Sequence, residues 1–87
     1  MALASWYWQP QTLAGPATWG RAKDYLVAHK TMRFGTRVQF AYRGRSTVGI
    51  VLDRGPYVGD REWDLGPGVA RALGFDGVGY VKWRVVR

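Results

Sequence analysis

Two aspartates eleven residues apart, Asp53 and Asp64, and a single histidine, His29, are the side chains best suited to proton chemistry here. A carboxyl pair can do general acid–base work when one member stays protonated until substrate arrives. That requires burial or a like-charged neighbour. Asp53 ends a strand-like run and Asp64 stands just before a helix start, so the two could converge and supply that neighbour to each other. Local structure offers each a plainer role. Spacing alone favours those roles: Asp53 as the turn residue before Arg54-Gly55-Pro56, and Asp64 as a cap for the helix that follows. His29 reads as a hydrogen-bonded structural side chain or as a group that orients a carboxyl.

The elements that must position these groups follow from periodicity. Thr36 to Tyr42 alternates, with Val38, Phe40 and Tyr42 on one face. Arg43-Gly44-Arg45 turns the chain into Ser46 to Asp53, where Val48, Ile50 and Leu52 share a face; the pair predicts a hairpin. Gly79 to Val86 predicts a strand with Val81, Trp83 and Val85 inward, and Ala4 to Trp8 a shorter one. Glu62-Trp63-Asp64-Leu65 is a short extended piece. It leads into a helix with Pro67 in the first turn, Val69, Ala72 and Leu73 as its apolar stripe, and Gly74 as the left-handed stop. A weaker helical turn is expected over Arg21 to Leu26. The sum is a mostly β chain with one or two short helices, a small barrel rather than a sandwich.

Composition narrows the chemistry further. With 87 residues the chain holds one domain, residues 1–87, and one small core. It has no cysteine, so no disulfide, thiol nucleophile or thiolate metal site, and one histidine cannot build a multi-histidine cage. Neither a metal nor another cofactor is expected. No apolar run reaches the roughly 20 residues of a membrane span, and the start Met1-Ala2-Leu3-Ala4-Ser5-Trp6 has no signal-peptide pattern. The net charge of +7 and pI near 10.4 fit either a solvated surface that keeps the chain soluble or an anionic partner, nucleic acid or a wall polymer.

Four stretches, taken in order, carry a family resemblance. They are Ala28 to Thr36 (A-H-K-T-M-R-F-G-T), Asp53 to Tyr57 (D-R-G-P-Y), Trp63 to Gly66 (W-D-L-G) and Ala70 to Gly74 (A-R-A-L-G). With the opening Ala4-Ser5-Trp6-Tyr7, the chain resembles the RlpA-like double-psi β-barrel family. That family includes bacterial septal lytic transglycosylases, the first domain of expansins, barwin-type proteins and a secreted protease inhibitor. The resemblance implies a six-stranded double-psi β-barrel whose groove binds polysaccharide, with His29, Asp53 and Asp64 as the catalytic set. A lytic transglycosylase closes the sugar's own 6-hydroxyl onto C1, so one carboxyl can act as acid and then base.

Arg54 is then expected to pair with one aspartate and hold it ionised, and Tyr57 to offer a sugar platform. Trp63 and Lys30 join them as expected substrate contacts. The implied partner is peptidoglycan or another anionic cell-wall glycan, with nucleic acid disfavoured because the arginines are scattered and no recognition helix is evident. The implied location is the cell envelope, the exterior or a virion. The chain also departs from the family pattern. Thr18 to Asp24 is short and lacks the family's glutamate, Gly66 replaces a Ser or Thr helix cap, and Arg33 replaces a proline. A non-catalytic wall-binding, expansin-like module therefore stands beside the enzyme, as does a phage tail or capsid-surface component with virion partners.

Overall fold

The computed structural model describes residues 1–6, 25–57, 59–75 and 77–86. Six strands, β1 (Ala2–Trp6), β2 (Leu26–Ala28), β3 (Arg37–Tyr42), β4 (Arg45–Asp53), β5 (Trp63–Leu65) and β6 (Gly79–Val86), close in the order β1-β5-β2-β4-β3-β6. One helix, α1 (Pro67–Leu73), lies between β5 and β6. The β1–β5 and β2–β4 pairs are parallel and the other four antiparallel, so the expected six-stranded mixed barrel is the architecture found. Closure leaves no sheet edge to aggregate. Among the described residues no helix is long and apolar enough to cross a membrane.

The hairpin forms as its sequence directs, with a tighter turn than expected. Tyr42 pairs with Arg45, leaving only Arg43 and Gly44 in the loop, both at positive φ (49° and 81°), the backbone of a type I′ turn. Val38 and Phe40 face the interior and are fully enclosed. On β4 the apolar row Val48, Ile50 and Leu52 takes the outer face, while Gly49 and Val51 face inward. Register decides this, because Val38 opposes Gly49. The inner face needs a glycine there: a Cβ on Gly49 would lie 2.8 Å from Val27 Cγ1 and 3.2 Å from the Tyr25 carbonyl oxygen. Gly49→Ala is accordingly expected to cost about 1–3 kcal/mol by overpacking, measurable as a lowered urea midpoint at unchanged slope.

Other expectations shift by a residue or two. The first strand is Ala2–Trp6, and Tyr7 and Trp8 lie outside the described residues, as do Thr18 to Asp24. Leu26, the end of the expected helical turn, belongs to β2. Helix α1 buries Val69, Ala70 and Leu73, with Ala72 exposed instead, because the stripe facing the sheet is centred one residue earlier in the turn. Its end is a Schellman arrangement: Gly74 (φ 65°) donates to the Arg71 carbonyl at 3.1 Å and Phe75 to that of Ala70 at 2.9 Å. On β6, Val81 is buried and Trp83 half-buried, but Val85 is 54% exposed. Alternation sets Val85's face, and the packing above that face ends before it.

Candidate functional site

Strand register lines up the two aspartates. Ser5 on β1 opposes Asp64 on β5, Asp64 opposes Ala28 on β2, and Ala28 opposes Asp53 on β4 across a bulge. Two strand spacings separate the two aspartates in that row, about 10 Å of backbone. Ser5 Oγ donates to Asp64 Oδ1 at 3.1 Å. Burial pushes the Asp64 carboxyl up to about 6; Ser5 and Arg61 oppose the rise and Asp53 adds to it. The expected cap role does not fit Asp64, since the N-cap of α1 is Gly66 and no side chain caps it.

Asp53 is 8% exposed, and its Oδ1 accepts the Arg54 backbone N–H at 2.8 Å. Arg54, expected to pair with an aspartate, makes side-chain contacts with the 29–34 loop. Its Nη1 donates to the Met32 and His29 carbonyls at 2.8 and 3.2 Å, and its guanidinium lies 3.9 Å from the Phe34 ring centroid. This clamp ties the 29–34 loop to the end of β4.

His29 leaves β2 directly into that loop. Its Nδ1 accepts the N–H groups of Met32 (3.1 Å) and Thr31 (3.3 Å), which places the proton on Nε2 in the neutral ring. Nε2 faces Glu62 Oε2 at 3.5 Å. Beneath the imidazole lies the Trp63 ring, with centroids 4.5 Å apart. Beside this pair opens a cavity of about 280 Å³, lined by His29, Lys30, Thr31, Asp60, Arg61 and Glu62. Tyr57 follows the buried Gly55-Pro56 turn and is 74% exposed.

The barrel thus brings His29, Lys30, Asp53 and Asp64 to one side, with Tyr57 at the surface. Trp63 departs from expectation. It is fully enclosed against Phe40 and Trp83, so its faces are not open to a sugar. Sequence reasoning missed Glu62, Arg61 and Ser5. The signal for Glu62 was the two-residue step to Asp64, which puts both on one face of an extended segment and Trp63 on the other.

No family model matches the chain. The probable endolytic peptidoglycan transglycosylase RlpA of Synechocystis is 38% identical over 98% of this chain, and its counterpart in Nostoc is 37% identical over 95%. The chain spans about a quarter of the length of these relatives, 28% and 24% respectively. Among solved structures, Streptomyces papain inhibitor superposes with a TM-score of 0.76 over 99% of this chain and 92% of its own, at 22% identity, a likeness of fold. Motif order, closed barrel and relatives agree: the chain belongs to the RlpA-like double-psi β-barrel family.

Proposed function

We propose that this domain acts on cell-wall glycan as a peptidoglycan lytic transglycosylase with Asp64 as its acid and base. The observation that carries the reading is the Asp64 carboxyl itself, raised to about 6 by burial and seated on Ser5 at the side of the barrel that holds His29. A carboxyl with that affinity for its proton is partly protonated at mildly acidic pH and can give the proton to a bridging oxygen. The C1–O bond then breaks with its electron pair going to the protonated oxygen, and the ring carries oxocarbenium character. Asp64, now a carboxylate, takes the proton of the sugar's 6-hydroxyl as that oxygen bonds to C1, closing a 1,6-anhydro ring. No water is consumed. The carboxylates of Asp53 and Glu62 stabilise the positive charge at the ring, His29 holds Glu62 in place, and Lys30 and Arg61 meet anionic groups of the strand. The relatives named as probable endolytic peptidoglycan transglycosylases support the substrate class.

Incubation with purified peptidoglycan should release anhydro-muropeptides detectable by mass spectrometry; intact strands after prolonged incubation at pH 5 would rule the enzyme out. One observation favours a second reading, in which the domain holds glycan without cutting it: the cavity beside His29 is lined by neither Asp53 nor Asp64. Sedimentation with insoluble peptidoglycan without product separates the two. In either case Tyr57→Ala should weaken glycan affinity about fivefold, the value of one lost stacking contact, with turnover at saturation much less affected. An unchanged KM or dissociation constant would remove Tyr57 from the site.

A further inference from the structure

The proposed groove leaves most of the positive charge unexplained. All four described carboxylates, Asp53, Asp60, Glu62 and Asp64, lie between residues 53 and 64. The three-stranded face β6-β3-β4 has none on β3 or β6, and on β4 only Asp53, buried at the strand's end. On its outer side the register makes three cross-strand rows: Lys82–Ala41–Ser46, Arg84–Gln39–Val48 and Val86–Arg37–Ile50. Each row holds one exposed cation, so Lys82, Arg84 and Arg37 form a ladder whose rungs are two residues, about 7 Å, apart. Gln39 fixes its neighbour by accepting from Arg84 Nε at 2.8 Å. The small side chain of Ala41 opens a trough here. Two depressions of about 210 and 350 Å³ meet at Ala41 and Lys82, with Arg84 lining the first and Arg43 and Tyr80 the second.

We propose that this outer face is a second docking surface, separate from the groove, for a single phosphodiester-linked polyol strand of the cell wall. The ladder matches a strand with one negative charge per short repeat, and the clearance of carboxylates from three strands makes the surface complementary to it along its whole length. Single-stranded nucleic acid has similar charge spacing, but its sequence-independent sites stack successive bases on successive aromatic rings. Of the aromatic side chains lining the two depressions among the described residues, only Tyr80 stands out from the surface, 62% exposed, while Trp83 and Tyr42 are half-buried against the core. A polymer without bases fits better. The choice of a wall polymer rests on the cell-wall reading above; the face itself rests on its charge.

The test measures binding of the full chain to purified polyglycerol phosphate and, separately, to phosphate-free peptidoglycan. Wild type should bind the polymer and lose at least about tenfold in affinity between 50 and 200 mM NaCl. Lys82→Glu/Arg84→Glu should bind the polymer at least tenfold more weakly at 50 mM NaCl, yet sediment with phosphate-free peptidoglycan as wild type does. Lys82→Gln/Arg84→Gln, which carries no repulsive charge, should fall between them, and urea midpoints check that both variants fold. Polymer affinity equal in all three proteins, or no polymer binding by wild type, overturns the proposal. Displacement of the polymer by single-stranded DNA at equal or lower phosphate concentration overturns the choice of partner. Loss of wild-type binding to phosphate-free peptidoglycan alone would strike the groove reading and leave the polymer result to judge the face.

Discussion

Asp64→Asn is expected to reduce anhydro-muropeptide release by about 10²–10⁴-fold, the usual worth of a positioned general acid, while making the barrel more stable at neutral pH. The stability gain follows from the direction of the shift. Asp64 is raised from 3.8 to about 6 in the fold. Below 3.8 the carboxyl is protonated in both states and ionisation costs the fold nothing. Between about 4 and 6 the unfolded chain ionises first, so wild type loses stability as pH rises; above 6 the penalty is constant. Asparagine never ionises and escapes that loss, and its amide still offers an oxygen to Ser5. The variant's advantage should therefore be near zero at pH 3.5, grow to about pH 6 and then level off. Because Asp64 remains partly open to solvent, the plateau is expected on the order of 1 kcal/mol rather than the full value of the shift. Urea denaturation of both proteins at pH 3.5, 5 and 7 reads this directly, and equal midpoints at all three would show that Asp64 is not held protonated by burial.

The second large effect is structural. Trp63→Ala should destabilise the domain by about 3–5 kcal/mol, a large part of the total that a chain this size commands. The indole is fully enclosed, edge-on to Phe40 at 4.9 Å and to Trp83 at 5.3 Å, and it carries the His29 ring on its remaining side. Removing it empties the centre of the barrel and the support of the site together. Trp63→Phe separates core from substrate contact. Phenylalanine keeps an aromatic body at that position, and the Nε1–H it deletes has no hydrogen-bond partner among the described residues. That variant should fold, lose about 1–3 kcal/mol and bind glycan as wild type does. A folded Trp63→Phe with several-fold weaker glycan affinity would return Trp63 to the binding surface. Tyr57→Ala should show the opposite pattern, with near-native stability and weaker binding.

How far the sequence reaches is visible in these residues. Hairpin and helix stop were legible because alternation, a short glycine turn and Gly74 are local signals, and the six-stranded barrel because the family's motifs stand in order. The inner face of β4 was not, since Val48, Ile50 and Leu52 outweigh Gly49 and Val51 in any reading of hydrophobicity. Only the cross-strand register and the tight approach of Val27 to Gly49 assign the faces. The motifs located Asp53, Asp64 and His29 but could not assign their partners. Arg54 reaches two carbonyls and a phenylalanine ring up to 25 residues away in sequence. The Ser5–Asp64 bond joins residues 59 apart. Such contacts arise from barrel closure, which no local pattern encodes. Trp63 was misjudged for the same reason: an aromatic beside a candidate acid looks like a platform until β5 is placed with that side chain inward.

The pH dependence of anhydro-muropeptide release from purified peptidoglycan tests the central claim most directly. With Asp64 as the proton donor, kcat/KM should be greatest in mild acid and fall tenfold per pH unit above an apparent pKa of about 6, with Asp64→Asn slower by at least about 10²-fold and lacking that fall. A wild-type rate that stays flat or climbs from pH 5 to 8, or an Asp64→Asn rate close to wild type, would contradict it.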